Sequence, residues 1–575
     1  MKKKTLVRNI ILSLVIDLAV ILVGYYVTLP PLNPQAPEFW TALAVAIGAF
    51  GIPFAVLQAG VPLSAFTASP SGARKAPPKG GNSKKVTVIL TALTLAPIAV
   101  MLIGQLISSP AFHATAYASI ISVEEAVFET DMPETDSVTN IALMDSDTAS
   151  VIGNRTLGSL ADVVSQYGIS ASYSQINFAR TPKKVAHLEY LGFFKWVNNR
   201  DAGIPGYVMV DPVKNSAEYK KFDTPMRYVE SGYFGDDLMR KLRFDYPTKI
   251  FGSCAFEVDE AGNPYYIVSC LKPQVMLFGA SDVSEVIIFD PCTGSSEILP
   301  VSEAPAWIDC VYTGHLACEK YDWYGCLSGG FFNSIIGNVG CKQTTDDFGY
   351  IVIEDDVWYF TGVTSVTADE SNIGFILSNA RTGEYKFYPV VGAEEYSAMG
   401  AAQGEVQEKG YKASFPSLVN ISGEATYIMV LKDANSIVKL YALVNVENYS
   451  IVATGATQED VMTEYKKLLV QNHIIDESEI TDPPETEPPQ EEAETFTVTV
   501  ERIELVTIDG NSYVYLFTAD STDSTVRICK GMVKADETLL FIHVGDSLTV
   551  KALPTDAERI YTIVSFEINA PDLEG

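Results

Sequence analysis

The sequence predicts a membrane-anchored α+β protein with three N-terminal transmembrane helices, a repeated ectodomain of helices and antiparallel meanders, and a small C-terminal β-barrel. Three observations support this fold class. Long apolar segments fill residues 1–108, strand–turn–strand patterns recur between residues 208 and 456, and short alternating strands fill residues 495–575. Because 575 residues exceed what one hydrophobic core accommodates, several folded units are expected.

The N-terminal segment, residues 1–108, is predicted to be a three-helix transmembrane anchor. Apolar stretches cover residues 10–29, 39–63 and 86–107, and each is long enough to cross the hydrocarbon core as a helix. A cleaved signal peptide would present a single short apolar core, whereas two further apolar segments follow the first one here. We therefore expect the anchor to be retained and the lipid bilayer to be a partner.

The basic residues around these spans predict the orientation. Lys2, Lys3, Lys4 and Arg8 precede the first span, residues 30–38 contain no Lys or Arg, and residues 68–85 contain five. By the positive-inside rule, the N-terminus and the second loop are cytoplasmic. Residues 109–575 are then extracytoplasmic, and the chain belongs to the cell membrane.

Asp17 lies near the middle of the first span, where an ionised carboxylate costs at least about 3 kcal/mol unless it is paired, hydrated or protonated. One interpretation is a proton or ion relay, or a contact with a partner's membrane segment. The other is a protonated Asp that is hydrogen-bonded to a neighbouring Ser or Thr, or to Gln105 on the third helix. The second is favoured, because a relay normally needs more than one ionisable group.

The predicted ectodomain is strongly acidic, since residues 109–575 contain 31 Lys and Arg against 69 Asp and Glu. Such a surface repels phosphate backbones, so no nucleic-acid partner is expected. Residues 476–494 are acidic, rich in proline and free of basic residues, which predicts a linker. This linker separates an N-terminal α+β ectodomain (109–253) and a repeated α+β ectodomain (254–475) from the barrel (495–575).

Internal repetition defines the ectodomain. Each repeat reads as strand, turn, strand, with turn residues at Asp211, Asp290, Asn379 and Asn445. Helical periodicity appears between the meanders, which predicts a helix covering one face of each sheet. The four repeated stretches are residues 208–222, 287–301, 376–390 and 442–456.

The end of the second stretch, Phe289, Asp290, Thr293 and Gly294, resembles the end of a PepSY module. That resemblance covers about three units within residues 255–472, and the Thr-Gly pair is kept only in the second and third stretches. PepSY modules are small α+β domains of exported and membrane proteins of bacteria, so the resemblance implies a binding or inhibitory role. The region around YPVVGAEEYSAMG (388–400) also resembles an uncharacterised family of Gram-positive membrane proteins, which implies location and no activity.

The tail has the strand count and spacing of a small barrel such as an OB-fold. OB-folds often bind single-stranded nucleic acid, but this tail is acidic and lacks the basic groove that such binding requires. A glycan, peptide or protein partner fits better. The alternative interpretation is a spacer or capping domain without a ligand of its own.

Seven of the eight cysteines fall within residues 254–341, and outside the membrane such clusters usually form disulfides. Cys254 and Cys270 flank a hairpin that turns near Gly262, which predicts a bridge between them. Free buried thiols are the alternative. His315 and Cys318 have a spacing that suits a metal or a thiolate pair, but further ligands and an orienting third group are lacking.

Catalytic motifs are missing from the sequence, which contains no HExxH, no GxSxG and no phosphate-binding loop. We therefore predict a non-enzymatic protein with no cofactor and no metal. The aromatic residues Tyr190, Phe193, Phe194 and Trp196 have helical spacing and are expected in a core.

Tyr321, Trp323 and Tyr324 precede a Gly-rich stretch and suggest a loop with exposed aromatic rings for glycan or peptide contact, with packing between repeats as the alternative. The expected function is that of a membrane-anchored extracytoplasmic binding or scaffold protein of the cell envelope, with an exported or membrane protein as partner. The alternatives are a regulator or inhibitor of an exported protease or wall enzyme, and an accessory subunit of a membrane transport or secretion complex.

Overall fold

The computed structural model separates the chain into two compact units, Met1–Ile480 and Thr481–Gly575. The predicted linker at 476–494 lies outside the described residues except for its two ends. The structure describes residues 3–58, 81–135, 141, 143–144, 146–345, 347–353, 356–366, 368–434, 437–476, 494–508, 511–520, 526–533, 537–554 and 559–569.

Three N-terminal helices are long and apolar enough to cross a membrane, as the sequence predicts. They are α1 (Lys3–Thr28), α2 (Pro37–Gln58) and α3 (Gly81–Ile107). Most of the basic loop at 68–85 lies outside the described residues, so the orientation stays a prediction.

The α+β region covers residues 109–476. Its first part forms a five-stranded antiparallel sheet, in which β4 pairs with β2, β3 and β5, and β5 also pairs with β6. The helix α6 packs on β5 and β6. The elements are α4 (Pro110–Ala118), β1 (Val123–Glu125), α5 (Phe128–Asp131), α6 (Ser146–Gly158), α7 (Ala161–Val164), β2 (Tyr167–Ile169), β3 (Ser174–Phe178), β4 (Thr181–Tyr190), α8 (Phe193–Asn199), β5 (Ile204–Asp211) and β6 (Ser216–Met226).

A four-stranded antiparallel meander follows, in the order β10-β9-β8-β7. Its inner face shares one core with the first sheet, since Val208, Val268 and Ile287 belong to the same buried cluster. The predicted boundary between residues 253 and 254 falls inside β7. The elements are α9 (Leu238–Asp245), β7 (Ile250–Val258), β8 (Pro264–Val275), β9 (Gly279–Phe289) and β10 (Ser296–Pro300).

The third sheet has seven strands, built around β13 and β14, with β1 added in parallel to β15. The helix α10 packs against β11 and β13. The elements are α10 (Gly314–Leu327), β11 (Lys342–Thr344), β12 (Gly349–Ile353), β13 (Asp356–Ser365), β14 (Ala368–Asn379), β15 (Tyr385–Tyr388) and β16 (Gly392–Ala393).

The fourth sheet has five strands, and α12 buries Val461, Tyr465 and Leu469 in the core beneath it. The α12 helix begins at its N-cap Thr457, whose hydroxyl accepts from the Asp460 N–H at 3.1 Å. The elements are α11 (Glu395–Glu405), β17 (Lys412–Ala413), β18 (Ser417–Ile421), β19 (Glu424–Lys432), β20 (Val438–Asn445), β21 (Val452–Gly455) and α12 (Gln458–Gln471).

The recurring turn residues fold their turns by the same chemistry. A side-chain oxygen of Asp211, Asp290 and Asn379 accepts from the backbone N–H groups two and three residues later, and that of Asn445 accepts from the third. These Asx turns reverse the chain between antiparallel strands. The four strand–turn–strand stretches of the sequence therefore lie at β5–β6, β9–β10, β14–β15 and β20–β21.

The second unit is a closed five-stranded barrel in the order β22-β23-β24-β26-β25, with β24 and β26 parallel. Val498, Leu516 and Val550 fill its interior. The apolar segment LLFIHV (539–544) begins in a 3₁₀ helix, Glu537–Phe541, so it adds no strand. The strands are β22 (Glu494–Ile508), β23 (Asn511–Asp520), β24 (Val526–Met532), β25 (Ser547–Pro554) and β26 (Ile560–Ile568).

Candidate binding cleft

A cleft of about 590 Å³ opens where three sheets of the α+β region meet. Its walls come from β3 and β4 of the first sheet, β12 of the third and β18 of the fourth, with Met132 and Leu143 beside them. This volume lies within the range of roughly 300–1,000 Å³ that is typical of ligand pockets.

The strands that line the cleft are mostly sheet edges. Among the described residues, β12 has β13 as its strand partner, β3 has β4, and β18 has β19. The outer side of β18 carries one isolated bridge from Glu134, with the Thr135 N–H donating to the Asn420 carbonyl at 2.8 Å. Edge strands present backbone donors and acceptors that an added strand can use.

Two buried amide side chains in the cleft wall each have one polar atom without a hydrogen-bond partner among the described residues. Gln175 on β3 is 5% exposed and Asn420 on β18 is 1% exposed, yet Gln175 Nε2 and Asn420 Oδ1 have no partner among the described residues. The orientation of the Asn420 amide is fixed, because its Nδ2 donates to the Met132 carbonyl at 3.0 Å. A buried unpaired polar group costs about 1–3 kcal/mol, so a molecule that bonds to Gln175 Nε2 and Asn420 Oδ1 would recover part of that cost.

The charges at the cleft differ from those of the acidic region around it. Its charged lining residues are Arg180, Lys184 and Asp347. The Lys184 ammonium lies 5.3 Å from the centre of the Tyr350 ring, a cation–π contact. The cleft therefore has a mixed apolar and polar lining, in which two cationic groups outnumber one carboxylate.

A pair of buried carboxyl groups lies behind the wall that carries Gln175. Both Glu257 and Asp309 are buried, and Glu257 accepts from the backbone N–H groups of Asp309 at 2.9 Å and Cys310 at 2.7 Å. Burial raises the pKa of Glu257 to about 7. Burial, and then repulsion from Glu257, raises the pKa of Asp309 to about 9.

These carboxyl groups hold β3 in place. Asp309 Oδ2 accepts from the Asn177 N–H at 2.7 Å, and the Cys310 thiol donates to the Gln175 carbonyl at 3.3 Å. Because Glu257 is fully buried and both of its oxygens accept backbone hydrogen bonds, the pair positions the chain and does not face the cleft as an acid and a base.

The predicted disulfide between Cys254 and Cys270 is not formed, since both residues are free thiols. The physical reason is the register of β7 and β8, which places Val268 opposite Cys254 and Phe251 opposite Cys270, with a bulge between them. Burial raises the pKa of Cys270 to about 12 and that of Cys254 further. Both thiols are therefore protonated at neutral pH.

Tyr321, Trp323 and Tyr324 do not form a loop, so the predicted binding loop is wrong at these residues. They lie on α10, where Tyr321 is fully buried and Trp323 stacks edge-on against Tyr117 with ring centres 5.1 Å apart. Tyr324 is half-buried beside Tyr321, at 5.9 Å. All three rings pack between elements of the region.

The pairing of His315 with Cys318 does not create a nucleophile. The His315 ring packs edge-on against Phe348 at 5.2 Å, and burial raises the pKa of Cys318 to about 12. The thiolate needed for attack is therefore not populated at neutral pH. Among the described residues, no group of three or more His, Cys, Asp and Glu side chains is arranged to hold a metal ion.

Asp17 lies on α1 with one carboxylate oxygen buried and without a partner among the described residues. Ser13, one turn earlier, is buried and has no partner there either. Gln105, the suggested partner on α3, is exposed on the surface of its helix. The structure therefore does not bring Asp17 and Gln105 together.

The aromatic segment of α8 is only partly core. Trp196 is buried, but Phe193 and Phe194 are exposed, against the expectation that all of them lie in a core. Sequence reasoning also missed Gln175 and Asn420, because single amides 245 positions apart give no local pattern.

The fold defines an α+β protein with three N-terminal helices long and apolar enough to span a membrane, and with a small β-barrel as its second unit. No protein-family model matches the chain, and no curated protein matches it significantly.

Proposed function

We propose that this protein is a membrane-anchored, extracytoplasmic binding protein of the cell envelope, which takes an extended polypeptide segment of an exported or membrane protein into the cleft. One observation carries this proposal. Gln175 Nε2 and Asn420 Oδ1 offer one buried donor and one buried acceptor, both unpartnered among the described residues. A peptide group has the matching acceptor and donor, and neighbouring side chains must move for it to reach these two atoms, since both are closed off from solvent.

The walls of the cleft support an extended ligand. A polypeptide that lies along β12 adds a strand to a sheet edge, so main-chain hydrogen bonds supply affinity that does not depend on sequence. Apolar lining residues such as Ile351, Phe415 and Leu418 offer contacts for alternate side chains of that strand. The sequence of the bound segment is then selected by these side chains.

A non-enzymatic role fits the chemistry of the region. The buried acid pair and the Cys310 thiol bond to backbone groups and so position the chain, and the proposed binding requires no cofactor. The basic flanks of the spans support an extracytoplasmic location for the cleft.

We also propose that the three meanders within residues 255–472 are degenerate copies of one PepSY-like module and that the barrel is of the OB type. The Asx turns at Asp290, Asn379 and Asn445 support a common origin of these meanders. The strand order of the barrel, with the parallel pair β24–β26, supports the OB type. PepSY-like modules in an exported protein imply binding, in line with the cleft.

The test uses Gln175→Leu in the full-length chain, reconstituted in nanodiscs. Because Gln175 Nε2 has no partner among the described residues, we expect the free energy of unfolding to stay the same or rise by about 1 kcal/mol. A library of displayed random peptides is selected on the unaltered chain. Selected peptides should bind the variant about tenfold more weakly, because they lose one buried hydrogen bond.

The matched control is Gln274→Leu, an exposed glutamine outside the cleft, which should leave the peptide affinities unchanged. If no peptides are enriched, or if their affinities are equal for the unaltered chain and Gln175→Leu, the cleft does not bind polypeptide through this residue and the proposal fails.

A further inference from the structure

An uncharged apolar loop, residues 328–340, follows α10 and contains one π-helical turn, Asn333–Gly337. Its sequence, SGGFFNSIIGNVG, contains no ionisable side chain, although the region around it is strongly acidic. Four of its apolar side chains are exposed: Phe332 by 77%, Ile335 by 59%, Ile336 by 79% and Val339 by 79%. Such a continuous exposed apolar patch marks an interaction surface.

The backbone of this loop is hydrogen-bonded within the loop. The side chain of Asn333 donates to the Val339 carbonyl at 2.9 Å and accepts from the Val339 N–H at 3.1 Å. The Asn338 N–H donates to the Asn333 carbonyl at 2.6 Å. A segment that enters an apolar medium has to satisfy its own backbone in this way.

The helix that precedes the loop runs toward the end of the third span. Trp323 contacts Tyr117 of α4, and the Tyr117 hydroxyl donates to the carbonyl of Ser108, the residue that follows α3, at 2.7 Å. Leu327, the last residue of α10, belongs to the same buried cluster as Tyr117 and Val275. The loop therefore begins close to the end of α3.

The β8–β9 hairpin also leads toward the end of α3, as a separate set of contacts indicates. At its tip, the N–H groups of Leu277 and Phe278 both donate to Ser108 Oγ at 3.1 Å. Further along β9, Asp282 pairs with Lys320 of α10 at 2.6 Å. The hairpin and α10 are therefore joined at the Asp282–Lys320 pair, and from there both lead toward Ser108 at the end of α3.

A second apolar patch lies beside the first span. Phe194, Phe234 and Phe244 are all exposed, and the Phe244 ring lies 5.9 Å from Tyr25 near the end of α1. In the same place, Arg240 Nε donates to the Tyr26 carbonyl at 3.3 Å. The two patches therefore lie next to different spans of the anchor.

We propose that both patches insert into the lipid leaflet that surrounds these ends of α1 and α3, so that the α+β region rests on the membrane surface. Lipid is the occupant that the observations favour, because the patches lie beside the ends of the apolar spans, the loop carries no charge, and part of its backbone is hydrogen-bonded within the loop. Aromatic and aliphatic side chains at this depth lie in the interfacial zone of the bilayer.

The experiment places the photoreactive amino acid p-benzoylphenylalanine at position 332 or 194 of the full-length chain. Position 449 is the control, because Tyr449 is 55% exposed and lies outside both patches. The chain is reconstituted in nanodiscs of phosphatidylcholine and phosphatidylglycerol, irradiated and analysed by mass spectrometry. Lipid adducts at 332 and 194 should be several-fold more abundant than at 449.

Equal adduct yields at the three positions would overturn the proposal. A second outcome would also overturn it. If irradiation of native membranes crosslinked position 332 to another protein and not to lipid, the loop would be a protein interface. Side chains 332 and 194 point away from the core, and an unchanged melting temperature of each variant shows that the fold is kept. The result does not depend on whether the cleft binds peptide.

Discussion

The buried acid pair makes the stability of the α+β region depend on pH, and Asp309→Asn tests this. Asp309 is buried, its pKa is raised to about 9, and repulsion from Glu257 contributes to that rise. The variant removes the titrating group, while its amide oxygen still accepts the hydrogen bond that the Asn177 N–H donates at 2.7 Å. The geometry that holds β3 should therefore survive.

The sign follows from the higher pKa in the folded chain. The contribution of Asp309 to stability is fully present below about pH 4, the pKa of an unfolded Asp, and is lost as the pH rises toward 9. One such group changes the free energy of unfolding by at most about 1.4 kcal/mol per pH unit. Because Glu257 and Asp309 titrate together, we expect the unaltered chain to lose about 2 kcal/mol more than the variant between pH 6 and 8.

The assay is the melting temperature of the nanodisc-reconstituted chain at pH 6 and at pH 8. The unaltered chain should melt several degrees lower at pH 8, and Asp309→Asn should show a smaller difference. Asp223→Asn, at an exposed position on β6, is the matched control and should behave like the unaltered chain. An Asp309→Asn variant with the full pH dependence of the unaltered chain would refute the reasoning.

Three further predictions concern the same region. Lys320→Met should destabilise it by about 2 kcal/mol, because the Lys320 side chain is 3% exposed and pairs with Asp282. Adding Asp282→Asn removes the carboxylate that is left unpaired, so the double variant should recover part of the lost melting temperature. Gly383→Ala should lower the free energy of unfolding by about 1 kcal/mol more than Gly410→Ala does. Both glycines have positive φ, but only at Gly383 does the added Cβ meet a neighbour, 2.7 Å from the Tyr312 ring. Equal losses of stability in the two variants would contradict the structure. Alkylation in denaturant without reductant should label all eight cysteines, and the intact mass of the chain gives the number of labels. Six labels would reveal a disulfide.

The spans and the turns were predictable because their physical causes are local. A run of apolar residues is sufficient to favour lipid over water, so the three helices follow from composition alone. The turns follow from single side chains, since Asp290 and Asn379 bond to backbone groups within three residues of themselves.

The failures share a non-local cause. The glycines after Tyr321 suggested a loop, but Tyr321 lies within α10. Packing against distant strands stabilises this helix, as in the hydrogen bond that the Tyr385 hydroxyl donates to the Ala317 carbonyl at 3.2 Å. The bridge between Cys254 and Cys270 depended on a register that a bulge shifts.

The cleft itself lay beyond sequence reasoning for the same reason. It forms from the edges of three separate sheets, and its unpartnered amides come from β3 and β18. Neither strand carries a motif that distinguishes it from a neighbouring strand, so the site became visible only once the sheets were assembled.

The most direct test of the binding role places p-benzoylphenylalanine at position 350 in the cleft of the full-length chain in living cells. Tyr350 is 37% exposed and lines the cleft, and position 449 is again the control. A crosslink to one polypeptide is expected at 350, absent at 449 and weakened by Gln175→Leu. The absence of any polypeptide adduct at 350, or an adduct that Gln175→Leu leaves unchanged, would contradict the proposed function.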